Sequence, residues 1–177
     1  MRNATIALTA AASLLAAGTA ATETAGPREL PLGDCSDLVG TYLTKNFAKD
    51  ASDKTFASRS LLSFTNGGHA FFTDSGEARE PGFSPFSDGR GAWRCVADET
   101  GKTKALATVL DFTFARPSGP KQQIGRLNFE VRYDAETKMV GGSIVLYFVP
   151  LARDPLAASA LRDGRGFEFT GQRVEAP

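Results

Sequence analysis

Arg126-Leu127-Asn128-Phe129-Glu130-Val131-Arg132-Tyr133 is the stretch on which the fold turns. Every second residue is apolar, and every residue between is polar or charged. Successive side chains of a strand point to opposite faces, so this alternation sets one dry face against one wet face. Asp134-Ala135-Glu136-Thr137 follows as turn chemistry, and then a second run over 139–149. There Ile144, Leu146 and Phe148 share one face while Val145, Tyr147 and Val149 share the other. Both faces are apolar, so this second strand needs a cover on its outer side or lines an apolar rim.

The same rhythm continues outward in both directions. Short apolar runs over 39–44, 59–65, 69–74, 91–97, 104–115 and 166–174 are separated by Gly, Asn, Asp and Pro. With the central pair they predict roughly eight sequential strands. Asn66-Gly67-Gly68 accepts positive φ and predicts a tight hairpin, and Asp98-Glu99-Thr100-Gly101 is a second turn. Helix is scarce: Asp154-Pro155 reads as an N-cap and first helical residue, predicting about two turns over 156–161, just before the last strand. The segment 77–89 is the longest irregular stretch, and Phe83 and Phe86 within it predict that it folds back, over a barrel mouth or against the outside. The expected architecture is all-β and antiparallel, an up-and-down barrel of one domain over 35–177; a two-sheet sandwich meets the same strand count.

Ahead of the strands, Arg2, the apolar run from Ile6 to Ala17 and the small residues Gly18-Thr19-Ala20 read in order as a signal peptide over 1–20. A second cut at Ala25 is compatible, and 21–34, with Pro27 and Pro31, reads as an extended tether. The apolar run is shorter than the about 20 residues of a membrane span. No other segment is long enough, which predicts a periplasmic or secreted protein that is not integral to a membrane. Formal charge is zero, with 20 basic and 20 acidic residues, so no net field favours nucleic acid.

Cys35 and Cys95 are the only cysteines, 60 residues apart, and an even count in an oxidising compartment predicts a disulfide. Two thiols and the single His69 are too few ligands for a metal site, and no metal or cofactor is expected.

Gly40-Thr41-Tyr42 in the first strand resembles the glycine–x–tryptophan signature of the calycin superfamily, the lipocalin-like barrels, with Tyr in place of Trp. Arg173 near the chain's end is similar to the late basic residue that packs over that aromatic in the family. Trp93 is the alternative central aromatic, and the family's Thr-Asp-Tyr-like turn is absent. The resemblance implies a closed barrel holding a small hydrophobic molecule, with secreted protease inhibitors among the relatives. An allene-oxide-cyclase-like barrel stays open beside it.

Candidates for chemistry are few. His69 needs a carboxylate partner to act as a base, and directly after Gly67-Gly68 it reads as a hairpin-end residue half in solvent. Asp111 sits within Val109-Leu110-Asp111-Phe112-Thr113-Phe114. Taking Leu110, Phe112 and Phe114 as the core face turns Asp111 to solvent; the opposite assignment encloses a carboxyl of raised pKa that can act as acid or base. Phe64, Phe72 and Tyr147 are the candidates for lining a ligand pocket, and Arg59, Arg94, Arg126 and Arg132 read mainly as outer cross-strand partners. Phosphate loops, nucleophile elbows, zinc helices and calcium loops are all missing. The expected function is binding of a small hydrophobic or amphipathic molecule. Its rivals are a cofactor-free isomerase or cyclase using Asp111, and a secreted interaction module. An open apolar cavity with no polar group favours binding, one on which Asp111 or a tyrosine converges favours catalysis, and a filled barrel favours the interaction module.

Overall fold

The computed structural model describes residues 27–49, 55–77, 84–116, 119 and 121–175. The signal peptide expected over 1–20 lies outside the described residues. The described residues form nine strands: β1 (Glu29–Leu30), β2 (Gly40–Ala48), β3 (Phe56–Phe64), β4 (His69–Asp74), β5 (Gly89–Ala97), β6 (Thr103–Phe112), β7 (Gln123–Asp134), β8 (Met139–Pro150) and β9 (Arg165–Arg173). All pairings are antiparallel, and β2 to β9 close a ring in sequence order, with β2 pairing β9 and β5 pairing β6. Closure leaves these eight strands with no free edge within the ring. This is the up-and-down barrel expected from the strand count, and the sandwich is excluded.

β1 extends the sheet beside β5, pairing Glu29 with Val96 and Leu30 with Cys95 where β4 has run out. Leu32–Leu38 then forms a 3-10 helix that buries Cys35 and Leu38. The later part of the segment read as a tether therefore packs on the barrel. The Cys35–Cys95 disulfide is formed, with Cα atoms 5.8 Å apart, and staples this helix to β5.

The two ends of the barrel differ. At the end where β2 and β8 start, Tyr42 pairs with Arg173, and the guanidinium stands 5.4 Å from the centre of the Tyr42 ring and 5.7 Å from that of Tyr133. Arg173 donates to the Tyr42 hydroxyl at 3.0 Å and to the carbonyl of Asp37. The Tyr42 hydroxyl in turn donates to Asp37 at 3.0 Å. Burial raises the Tyr42 pKa, while Arg173 pulls it back down. Trp93 packs edge-on against Phe64 at 5.4 Å and donates its indole N–H to Thr65. These side chains pack across this end, and an open groove of about 400 Å³ runs beside them along Arg132, Tyr133, Met139 and Val140.

In mid-barrel Phe129 touches Phe72 and Phe169, with ring centres 5.3 and 6.4 Å away. Leu127, Phe129 and Val131 are buried as the alternation predicts, and Tyr133 is half-buried. The polar face of β7 is less open than expected. Arg126 donates to the carbonyl of Pro155 at 2.8 Å, and Glu130 receives Lys104 at 2.9 Å. The outer face of β8 is covered, as its two apolar faces require: Gly164 has no room for a Cβ against Val145 and Tyr147.

Two expectations are corrected. The short helix expected before the last strand is present, but as a single 3-10 turn, Ala158–Ala160, in place of about two turns, and it is preceded by an Asx turn in which Asp154 accepts the Leu156 N–H at 2.8 Å. Asp154 thus serves a turn rather than a helix cap. The faces of β6 are reversed: Val109, Asp111 and Thr113 point inward, while Phe112 and Phe114 remain about half exposed. Register decides this, because Ala105, Ala107 and Val109 pair with Val131, Phe129 and Leu127, whose side chains already face the core. Directly paired residues share a face, so β6 has no choice.

Candidate functional site

The opposite end, where β2 and β8 finish, holds a half-enclosed cavity of about 130 Å³. Its apolar wall comes from five strands: Ala57 of β3, Phe72 of β4, Leu127 of β7, Ile144, Leu146 and Phe148 of β8, and Phe167 of β9, with Phe86 completing it from the segment before β5. Phe86 is placed by an isolated bridge to Thr113 and by its amide, which donates to Glu77 at 3.1 Å. Residues 84–88 of the irregular segment thus lie at this mouth, while 78–83 lie outside the described residues.

Two polar groups interrupt the apolar wall. On one side Asp74 is saturated: its Oδ2 accepts from Ser60 at 2.6 Å, Ser58 at 2.7 Å and Asn46 at 3.0 Å, and its Oδ1 accepts the Gly76 amide at 2.7 Å. Thr44 continues the network by donating to Asn46 Oδ1 at 3.2 Å. Inward-facing Thr44, Asn46, Ser58 and Ser60 alternate along β2 and β3, so this polar wall follows from the same period of two that builds the core.

On the other side Asp111 is buried, at 4% exposure, and lines the cavity. Its β7 partner is Gly125, and a Cβ there would come within 2.3 Å of Asp111 Oδ1; glycine makes the room that the carboxyl occupies. Burial raises the Asp111 pKa to about 6, opposed by a hydrogen bond from the Gly125 amide and reinforced by the charge of Glu77. Glu77, whose Oε1 accepts the Asp74 amide at 2.9 Å, is itself pushed up by burial. Asp111 Oδ1 and the Ser84 hydroxyl are the two buried side-chain atoms without a hydrogen-bond partner among the described residues, and both residues line this cavity.

Of the other candidates, Phe72 lines the cavity, whereas Phe64 packs at the other end against Trp93. Tyr147 lies on the outer face of β8 beneath Gly164 and is removed from the pocket set. His69 is exposed at the hairpin on the far side of the barrel from Asp111's mouth, so the two do not meet. Its hairpin forms as expected, with Gly68 at φ +76°. No group of three potential ligands suited to a metal ion occurs among the described residues. The sequence pointed to Asp111 but not to its surroundings. Asn46, Ser58, Ser60 and Asp74 went unnoticed, although Asn46, Ser58 and Ser60 stand at inward positions that most barrel strands fill with apolar residues.

No family model matches the chain, and neither do any curated protein or solved structure.

Proposed function

We propose that the protein holds a small hydrophobic or amphipathic molecule in the cavity end of its barrel, in the periplasm or outside the cell. The observation that carries this is the half-enclosed cavity, mostly apolar but with Asp111 and Asp74 in its wall, at the end of the barrel away from Tyr42 and Arg173. A cavity of about 150 Å³ lined by apolar side chains accommodates a benzene-sized molecule, so about 130 Å³ with an open mouth suits a ligand of that scale. The disulfide supports an oxidising compartment. No helix among the described residues is long and apolar enough to cross a membrane. Lys45, Arg59 and Arg94 stand on the barrel's outer face in mid-strand, where a lipid-embedded barrel requires an apolar band.

Native mass spectrometry on protein purified from its own host, followed by identification of co-purified small molecules, tests this reading. The expected result is a bound apolar molecule that is lost when Leu146→Trp fills the cavity. Recovery of ligand-free protein that binds no hydrophobic reporter overturns it. A second reading, acid–base isomerisation or cyclisation, is favoured by Asp111, because a buried carboxyl with a pKa of about 6 is poised to accept or give a proton. Incubating the co-purified molecule with fresh protein separates the two: recovery unchanged supports binding, and conversion to an isomer supports catalysis.

A further inference from the structure

The chemistry of the cavity narrows the ligand further, on the premise that the cavity is a binding site. Among the described residues its lining contains two carboxyl side chains, Asp74 and Asp111, and no lysine, arginine or histidine. The Asp74 carboxylate already accepts four hydrogen bonds and has little to offer a guest. Asp111 is different: it is enclosed, and its Oδ1 accepts nothing. An unpaired buried acceptor is costly, and more so when charged, so a donor supplied from the cavity recovers that cost. Ser84 Oγ, the other buried atom without a partner, lines the same space and can accept a second hydrogen from the same donor group.

We propose that the ligand is a small primary amine, its ammonium on Asp111 Oδ1 and Ser84 Oγ and its apolar body among Phe72, Leu127, Leu146 and Phe148. An ammonium supplies several donors from one atom, and a hydrogen bond between ions is about twice as strong as one between neutral groups. Anionic amphiphiles such as fatty acids are disfavoured, because the described lining would set their carboxylate against Asp74 and Asp111 with no cation among the lining residues to offset it. Arg165 does stand at the mouth, 5.9 Å above the centre of the Phe148 ring, but it is not part of the lining.

The charged groups around Asp111 can be traced strand by strand. β4 contributes Asp74, the segment after it Glu77, and β2, β7, β8 and β9 contribute Asn46, Leu127, Ile144, Leu146, Phe148 and Phe167, none of which titrates. Glu77 raises the Asp111 pKa by its charge, and an ammonium would lower it. Amine binding should therefore weaken as pH falls through about 6, when the carboxyl takes up its proton.

Calorimetric titration with benzylamine, benzyl alcohol and benzoate tests this, since the three share one ring and differ in the head group. The expected order is benzylamine first, at least about tenfold tighter than benzyl alcohol, with benzoate weakest. Benzylamine should lose about tenfold in affinity between about pH 7.5 and about pH 5, while benzyl alcohol changes little. Asp111→Asn should abolish the preference for the amine and, with it, the pH dependence of amine binding. Should that variant fail to fold, the pH dependence of the native protein decides alone. Equal or tighter binding of the alcohol or benzoate overturns the amine assignment and leaves the barrel a binding protein. If none of the three binds to folded protein, the binding function and the amine assignment fall together.

Discussion

Asp111 makes stability depend on pH in the direction opposite to most carboxylates. Burial lifts its folded pKa to about 6 from an ordinary 3.8, so between those values the folded chain binds the extra proton. Stability tied to this group is then highest in acid and falls as pH rises through about 6. The shift corresponds to about 3 kcal/mol at its upper bound. Urea melts of the native protein and Asp111→Asn should differ by up to that amount more at about pH 7 than at about pH 4, with the variant gaining relative stability at the higher pH. Comparing the two proteins cancels the opposite contributions of Asp98, Glu130 and Asp134, whose pKa values are lowered by hydrogen bonds. A pH-independent difference would mean that Asp111 is solvated. Its neighbour gives a second test. Gly125→Ala drives a methyl into the carboxyl and should cost about 1–3 kcal/mol, much of it recovered by adding Asp111→Ser. Additive costs in a double-mutant cycle would show that the two side chains do not compete for space.

Among the elements, β7 and β6 show what a single strand can and cannot reveal. β7 was legible because polar and apolar residues alternate without exception from Arg126 to Tyr133. Phe129→Ala should therefore cost about 3–5 kcal/mol, since it empties the space between Phe72 and Phe169. Glu130→Gln, by contrast, should cost no more than about 1 kcal/mol, the loss of a half-exposed pair with Lys104 and Arg132. Chemical denaturation of both variants checks the ranking, and the reverse order would put the sheet inside out. β6 misled because its largest side chains, Phe112 and Phe114, lie at the rim, where the ring of strands ends and bulk outside is tolerated. Within the ring its inward positions include Ala105 and Ala107, the latter small where Phe129 and Trp93 on the two paired strands already fill the space. Size alone cannot reveal this; it takes the register, which depends on residues far away in sequence. The polar wall of Asn46, Ser58 and Ser60 was hidden for the same reason, since β2 and β3 each supply only part of it.

At the scale of the whole molecule, the barrel divides its work between its ends. The disulfide, the 3-10 helix of Leu32–Leu38, Tyr42, Trp93 and Arg173 all gather at one end, whereas the cavity and Asp111 lie at the other. Closing the loop between Cys35 and Cys95 restricts the unfolded chain, and for this separation the entropic model gives about 4 kcal/mol. Because the stapled end takes no part in the cavity, stability and binding should separate cleanly. Replacing both cysteines with serine should lower the urea midpoint by an amount equivalent to about 2–5 kcal/mol. The affinity for benzylamine, measured where the variant is still folded, should stay within about twofold of the native value, a change of only about 0.4 kcal/mol. Leu146→Trp should do the opposite. The indole enters space that is otherwise open to the mouth, so binding is lost while stability changes by less than about 1.5 kcal/mol. A cysteine-free variant that folds but binds much more weakly would show that the plug shapes the cavity through the core, with Phe72 and Phe129 as the route between the ends. Unimpaired binding in Leu146→Trp would place the ligand somewhere other than among the side chains of β7, β8 and β9.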